Sequence, residues 1–257
     1  MLKTKPDIVE NWLPRYTGEQ LENFGNLILL TNFRHYLNVF CEKMNTDSPD
    51  WSANMPCATA DDITMIHFGM GSPNAALIMD LLAAIHPKAV LFLGKCGVLK
   101  QEREVGEFIL PIAALRGEGT SNDYFPPEVP ALPAFMLQRA VSTAVRNAQY
   151  DYWTGTVYTT NRRVWEHDEV FKDYLRGLRC MAIDMETATL FSVGFYNGIS
   201  TGALLLTSDK PMISTGVKTA ESDKMVTVDF VDDHISIGIE ALRLIHRKGT
   251  TVKHLRF

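Results

Sequence analysis

Short apolar runs alternate with longer segments of helical period along most of this 257-residue chain, and no other feature constrains the fold as much. The apolar runs, interpreted as strands, are Leu27–Leu30, Ile63–Phe68, Ala89–Leu93, Glu107–Leu110, Tyr152–Tyr158 and Gly202–Thr207. The segments of helical period are Phe33–Lys43, Asn74–Ile85, Pro133–Asn147, Val170–Leu178, Glu186–Tyr196 and Val231–His246. This order is typical of βα units, so we predict an α/β fold with a central mixed sheet flanked by helices.

Two polar, proline-bearing segments, residues 45–60 and 118–133, interrupt the alternation. Because strands and helices resume after each of them, we predict loops inside one domain rather than linkers between two. Residues 1–25 follow neither pattern. We predict that they form an irregular N-terminal arm before a single domain over residues 26–257.

The composition argues against several classes of protein. Apolar residues make up 46% and charged residues 21%, which is the balance of an ordinary globular protein. The net charge of −5 argues against a nucleic-acid-binding protein, which would display a basic face. No apolar run reaches the roughly 18 residues that span a bilayer, and we expect neither a membrane segment nor a signal peptide. The four scattered cysteines favour reduced thiols in the cytoplasm, and the histidine spacing predicts no metal site, so no cofactor is expected.

Ligands of open α/β sheets collect at the carboxyl ends of strands, so residues that follow the predicted strands are the first candidates for a site. The stretch Gly69–Asn74 follows one strand and opens a helix. Its glycines allow close approach of a ligand, and the N–H groups of a helix start favour an anion or a sugar hydroxyl. The stretch also suits a plain strand-to-helix turn, since Ser72 and Pro73 are ordinary residues at a helix start.

Other strand ends carry charged side chains. Lys95 lies in Gly94–Gly97, where it could neutralise a phosphate or occupy a solvated turn. Asp184 and Glu186 open an apolar helix, where acids commonly complement the helix dipole. Asp209 follows the last predicted strand and could equally form a turn. Each acid alone therefore has a structural explanation beside a catalytic one.

Taken together and in order, these strand ends resemble the motifs of the nucleoside phosphorylase/nucleosidase superfamily. The matches are Gly69–Asn74 to its G-M-G-x-P turn, Gly94–Gly97 to its G-[ST]-C-G turn, Met185-Glu186 to its M-E ribose clamp and Ser208-Asp209 to its S-D catalytic pair. The resemblance extends over residues 27–246, nearly the whole chain. Within the superfamily, the stretches 154–161, 184–191 and 207–211 resemble the catalytic domain of the AMP nucleosidase branch.

The resemblance implies a nucleoside phosphorylase-like fold and an N-glycosidase that hydrolyses AMP to adenine and ribose 5-phosphate. Asp209 would be the general acid at N7 of the purine, for which it needs a raised pKa. Glu186 would accept hydrogen bonds from the ribose hydroxyls and stabilise an oxocarbenium-like sugar, with Met185 beneath it. The other substrate-binding residues implied are Arg34, Gly71, Lys95, Gly97, Thr160, Asn161, Trp165 and Ser208, with Tyr158 as an alternative to Trp165 for stacking on the base.

The chain departs from the superfamily at the site where its phosphorylases bind inorganic phosphate. Arg34 matches one arginine of that site, but Phe92 takes the position of a second arginine and Lys95 that of the usual Ser or Thr. This departure favours hydrolysis by water. The candidates for holding the 5′-phosphate of a nucleotide are Arg34, Lys95, Arg162, Arg163, Lys210 and Lys218, which the sequence does not rank.

Two other functions stay open, namely a purine or uridine phosphorylase and a non-catalytic nucleotide-binding module on the same fold. The presence of both Glu186 and Asp209 disfavours the non-catalytic module. The resemblance also implies a homo-oligomer, a hexamer built as a trimer of dimers, in which a neighbouring copy can complete the site.

Overall fold

The structure, a computed structural model, describes residues 3–100 and 102–247 and arranges eight strands of this part of the chain in one sheet. The strands are β1 (Leu27–Thr31), β2 (Cys57–Ala60), β3 (Ile63–His67), β4 (Ala89–Val98), β5 (Phe108–Gly117), β6 (Tyr152–Thr160), β7 (Ala182–Asp184) and β8 (Thr201–Asp209). The helices are α1 (Lys5–Thr17), α2 (Arg34–Met44), α3 (Ser72–Leu81), α4 (Phe135–Asn147), α5 (Glu169–Leu178), α6 (Thr187–Tyr196) and α7 (Ala220–Arg247). The predicted α/β fold with a central mixed sheet is confirmed.

The sheet follows the order β2-β3-β1-β4-β7-β6-β5-β8, and its last strand turns back to pair with β4. The strands β4, β7, β6, β5 and β8 therefore close into a ring. Within the ring β4 and β8 run parallel, so their carboxyl ends lie side by side. A bulge between Cys96 and Gly97 brings Gly97 into register with Asp209, and this pair stands at the edge where a ligand would collect.

The central strands are covered on both faces. Leu27 and Leu29 of β1 belong to the core cluster that includes residues of α2, α4 and α7, whereas Ile28 and Leu30 join the cluster that includes residues of α1, α3 and α6. A strand buried on both faces needs a continuous apolar run rather than an alternating one, which explains the sequence of β1. Within the described residues, no helix has both the length and the apolar character needed to cross a membrane.

The N-terminal segment, predicted to be irregular, instead forms helix α1. Thr4 and Asp7 make a reciprocal capping box, in which each side chain accepts a hydrogen bond from the backbone of the other. Gly18 ends the helix in the left-handed conformation, with φ of 77°. Val9 and Leu13 are buried in the core beside α3, so the prediction of an irregular arm was wrong. Pro6 lies in the first turn of α1 and Pro14 lies inside the helix.

The strand β4 does not end at Leu93 as predicted, but continues through both glycines to Val98. Glycine is required at both positions because neighbouring side chains pack closely against the backbone. A Cβ at Gly94 would lie 2.3 Å from the ring of Phe92, and one at Gly97 would lie 2.8 Å from the ring of Pro211. Three other differences concern β2, which lies within the predicted loop 45–60, β7, which was not predicted, and α7, which begins at Ala220 rather than at Val231.

Candidate active site

One cavity opens at the carboxyl edge of the sheet, next to the start of α6. Both residues predicted to be catalytic, Asp209 at the end of β8 and Glu186 directly before α6, line it. The fold therefore brings together two carboxyl groups that are 23 positions apart in the sequence.

Glu186 is held in place from outside its own helix. Its side chain is only 2% exposed, and its Oε1 accepts a hydrogen bond from the backbone N–H of Gly71 at 2.7 Å. Gly71 has φ of 92°, a conformation that disfavours residues with a side chain, so glycine is needed to point this N–H at the carboxylate. Burial, together with the charge of Asp184, raises the pKa of Glu186 to about 8.

Asp184 is a second buried carboxylate at the same helix start. Its Oδ1 accepts a hydrogen bond from the Thr159 hydroxyl at 2.7 Å. Its Oδ2 accepts the backbone N–H and the hydroxyl of Thr187, at 2.8 and 2.5 Å, and the backbone N–H of Glu186 at 3.2 Å. Burial raises the pKa of Asp184, while the hydrogen bonds from Thr187 and Thr159 oppose this rise. This network ties β6 and β7 to α6 and orients the backbone that carries Glu186.

Asp209 ends β8 against the bulge of β4. The Ser208 hydroxyl donates to its Oδ1 at 2.6 Å, and a Cβ at Gly97 would lie 3.2 Å from its Oδ2. Glycine at 97 therefore leaves room for the carboxyl group. Burial raises the pKa of Asp209, and the nearby charge of Lys218 partly opposes the effect. A raised pKa favours the protonated form that a general acid requires.

The loop between β6 and α5 forms another side of the cavity. Trp165 is 4% exposed and packs edge-on against Phe171, with ring centroids 5.4 Å apart. Arg162 pairs with Asp168 at 2.8 Å, and Arg163 lies 3.4 Å from a carboxylate oxygen of Glu166. The cations of this loop are thus matched by acids of the same loop.

Two lysines contact one aromatic ring at the cavity. The ammonium of Lys95, a residue only 8% exposed, lies 4.9 Å from the ring centre of Phe33, and that of Lys218 lies 5.7 Å from it. Both lysines line the cavity. Lys210, by contrast, points elsewhere and pairs with Glu104 at 3.2 Å.

Most of the residues predicted to bind or convert a substrate lie on the cavity wall. They are Lys95, Gly97, Thr160, Trp165, Met185, Glu186, Ser208 and Asp209. Gly71 takes part through its hydrogen bond to Glu186. Arg34 and Asn161 are not on the wall that the described residues form. Arg34 is exposed at the start of α2 and stacks on Trp51 at 4.9 Å, and Asn161 is exposed after β6.

Tyr158, the alternative to Trp165 for stacking, is also absent from the described wall, although it packs in the same apolar cluster as Trp165. Sequence reasoning did not single out Asn32 or Glu166, which line the cavity. Asn32 lies directly after β1, and Glu166 lies in the loop after β6. The expectation that site residues follow the carboxyl ends of strands could therefore have identified both. Among the described residues, no group of three or more His, Cys, Asp or Glu side chains is arranged to hold a metal ion.

Comparison with known proteins agrees with this geometry. A family model described as the phosphorylase superfamily matches residues 54–245. The crystal structure of AMP nucleosidase from Bacteroides thetaiotaomicron VPI-5482 is 57% identical in sequence and superposes with a TM-score of 0.86, covering 96% of this chain and 100% of that one. A purine nucleoside phosphorylase from Toxoplasma gondii, 18% identical, shares the fold with a TM-score of 0.77, covering 90% of this chain and 95% of that one.

The AMP nucleosidase of Escherichia coli K12 is 29% identical over an alignment that covers 92% of this chain. The chain spans 58% of the length of that relative. The resemblance to AMP nucleosidases inferred from the motifs is therefore confirmed. With the family model covering about three quarters of its length, the chain belongs to the phosphorylase superfamily.

Proposed function

We propose that this protein hydrolyses the N-glycosidic bond of AMP and releases adenine and ribose 5-phosphate. The observation that carries the proposal is a pair of carboxyl groups on the wall of one cavity, with Glu186 buried and Asp209 half-buried. The relative that is 57% identical over 96% of this chain is an AMP nucleosidase, which supports the same reaction here.

The two carboxyl groups match the charges that develop as a purine leaves a ribose. When the C1′–N9 bond breaks, its electron pair departs with the base, and protonated Asp209 donates a proton to N7. Glu186 accepts hydrogen bonds from the 2′- and 3′-hydroxyls, and its ionised form, which gains population as the pH rises toward its pKa of about 8, stabilises the cationic sugar in the transition state. Water adds its oxygen to C1′, and the proton that it releases restores the Asp209 carboxyl through solvent.

The surroundings of β4 support water rather than phosphate as the nucleophile. Phe92, at the position of a phosphate-binding arginine in the phosphorylases, is fully buried and packs against Phe68 with ring centroids 5.8 Å apart. Its side chain is part of the apolar core and offers no donor to an anion. Lys95 is then left without the arginine that would complete a site for inorganic phosphate.

The 5′-phosphate of AMP needs a cationic partner, and we assign this role to Lys95 with Lys218. Both line the cavity, where their ammonium groups lie 4.9 and 5.7 Å from the ring centre of Phe33. Charge-assisted hydrogen bonds are worth about 1.5–3 kcal/mol each, so the pair would favour AMP over adenosine by two or more powers of ten. In Lys95→Met this preference for AMP should fall at least tenfold, while Lys43→Met, which removes a surface ammonium paired with Asp232, should leave it unchanged.

The proposed reaction is tested by following adenine release from AMP by chromatography, with and without inorganic phosphate. Release in phosphate-free buffer, with ribose 5-phosphate as the second product, is the expected result. Strict dependence on phosphate would instead indicate a phosphorylase. Binding of AMP without turnover under either condition would indicate a non-catalytic module.

We also propose that the protein is a cytoplasmic homo-oligomer, a hexamer built as a trimer of dimers. Met70, on the cavity wall, is 55% exposed, and Val164 of the neighbouring loop is 71% exposed, so a second copy could cover apolar surface at the mouth of the cavity. The four unpaired, buried cysteines suit a reducing compartment. Native mass spectrometry should give a species of six chains, and a monomer at micromolar concentration would contradict the assembly.

A further inference from the structure

Glu166 is a carboxylate of the cavity wall that the proposed reaction does not use. The other acids of the described wall are Asp209 and Glu186, which have proposed catalytic roles, and Asp184, whose oxygens accept hydrogen bonds from the protein. Glu166 belongs to the loop after β6, the same loop that contributes Trp165, the residue predicted to stack on the base. Its position is therefore on the side of the cavity assigned to the purine.

The carboxylate of Glu166 is fixed in orientation. Its Oε2 accepts the backbone N–H of Trp165 at 2.9 Å, and its Oε1 accepts a hydrogen bond from Arg163 at 3.4 Å. The side chain is only 16% exposed. An ionised carboxylate is an acceptor with about four lone-pair sites, so each oxygen of Glu166 keeps capacity for another donor. The group is thus an oriented acceptor that recognises N–H and disfavours a carbonyl oxygen.

The purine edge that meets Asp209 carries two neighbouring groups. In adenine, N7 is an acceptor and the 6-amino group beside it is a donor, whereas hypoxanthine and guanine carry a 6-oxo acceptor at that place. Oδ1 of Asp209 already accepts a hydrogen bond from Ser208, and its acidic proton is directed to N7. Glu166 lies on the same cavity wall as Asp209 and offers a separate acceptor for the 6-amino group.

We infer that Glu166 determines the specificity for the base, because its carboxylate accepts a hydrogen bond from the 6-amino group of adenine and rejects 6-oxo purines. The inference rests on the proposed function, since it names which purine nucleotides that site takes. A site built to bond a substrate N–H discriminates strongly against analogues that lack it, because its buried polar group is then left unpaired. For a 6-oxo purine, repulsion between the carboxylate and O6 adds to this penalty.

The test compares kcat/KM of three nucleotides, AMP, IMP and purine riboside 5′-monophosphate, which carries hydrogen at position 6. In the unmodified protein, AMP should exceed each of the others by about 100-fold or more. Glu166→Gln can still accept the Trp165 N–H through its carbonyl while its amide group donates to O6. We expect the AMP/IMP ratio to fall at least tenfold in this variant, with IMP turnover rising in absolute terms.

Glu169→Gln is the matched control, since it removes a carboxylate three positions along the chain that is 69% exposed and pairs with Lys172. Glu169→Gln should leave the kcat/KM of AMP relative to IMP and relative to purine riboside 5′-monophosphate unchanged. Melting curves should establish that Glu166→Gln and Glu169→Gln are both folded. An AMP/IMP ratio within twofold of the unmodified protein in Glu166→Gln overturns the inference. If the unmodified protein cleaves none of the three nucleotides, the proposed function itself fails, a result distinct from cleavage with an unaltered ratio.

Discussion

Two aspartates that stand before helices on the sides of the same cavity have similar local geometry and very different surroundings. Asp184 accepts the backbone N–H of Thr187 at 2.8 Å in the first turn of α6, and Asp168 accepts that of Phe171 at 2.9 Å in the first turn of α5. Asp184 is 5% exposed and accepts hydrogen bonds from Thr159, Thr187 and Glu186, whereas Asp168 is partly exposed and pairs with Arg162. The same capping hydrogen bond thus occurs in a buried network at Asp184 and beside an exposed ion pair at Asp168.

The difference indicates that the ribose side and the base side of the site have different roles. On the ribose side, buried hydrogen bonds orient the helix start, and burial raises the pKa values of Asp184 and Glu186. On the base side, exposed ion pairs shape a loop, and solvent screens them. We therefore expect chemistry and stability to depend steeply on the buried acids and weakly on the exposed ones.

The largest expected effect concerns Asp209, whose pKa is raised by burial as are those of the ribose-side acids. Asp209→Asn removes the proton donor while keeping the shape of the side chain, and general acid catalysis contributes about 10²–10⁴-fold to a rate. We expect kcat for AMP to fall by this factor while the Kd of AMP, measured by calorimetry, changes little. Asp173→Asn, an exposed acid of α5, serves as the control. More than a tenth of the original kcat in Asp209→Asn would contradict the role of general acid.

The second effect concerns stability. Asp184→Asn replaces one acceptor oxygen by an amide nitrogen without leaving a hole, so one of the donors from Thr159 or Thr187 loses its partner. An unsatisfied buried group costs about 1–3 kcal/mol, and we expect the free energy of unfolding in urea to fall by about 2–3 kcal/mol. An unchanged free energy of unfolding would mean that the network is not what holds the start of α6.

The third effect is the pH dependence of stability that the buried side should impose. Glu186 titrates near pH 8 in the folded protein against an ordinary value of 4.5, so between these values the folded state binds the extra proton. Its contribution is fully present below pH 4.5 and is lost as the pH rises through 8. From pH 6 to pH 9, the Tm of the unmodified protein should therefore fall relative to that of Glu186→Gln. If the Tm of the two proteins changed equally from pH 6 to pH 9, the pKa of Glu186 would not be raised in the folded protein.

The two sides also differ in how far the sequence predicts them. Met185-Glu186 and Ser208-Asp209 were identified because motif residues lie at strand and helix ends, where backbone geometry fixes the position of the side chain. Glu166 was not identified, since its place on the wall depends on the path of the loop after β6 and on its hydrogen bond to Trp165. Local pattern predicts residues that are held by secondary structure better than residues that are held by a loop.

The fold shows the same limit. The run Leu27–Leu30 was predicted correctly because a strand buried on both faces leaves a plain apolar signature. The continuation of β4 through Gly94 and Gly97 was not predicted, because glycine normally marks a turn and the reason for it here is contact with Phe92 and Pro211. Pro211, which requires glycine at 97, comes next to β4 only once β4 and β8 are paired. Local sequence therefore predicts a turn where the cavity forms, whereas tertiary contacts keep this part of β4 in a strand.

The smallest expected effect tests the comparison directly, by making at Asp168 the same change as at Asp184. Asparagine caps a helix as well as aspartate does, and the lost ion pair with Arg162 is exposed and screened. We expect the Tm of Asp168→Asn to stay within error of the unmodified protein, while Asp168→Ala, which also removes the acceptor for the Phe171 N–H, lowers it detectably. If Asp168→Asn instead lowered Tm as much as Asp184→Asn does, burial would not be what distinguishes the two sides. Equal decreases in Tm would mean that both effects come from the loss of a charge at a helix start. The raised pKa values of Asp184 and Glu186 would then need a cause other than burial.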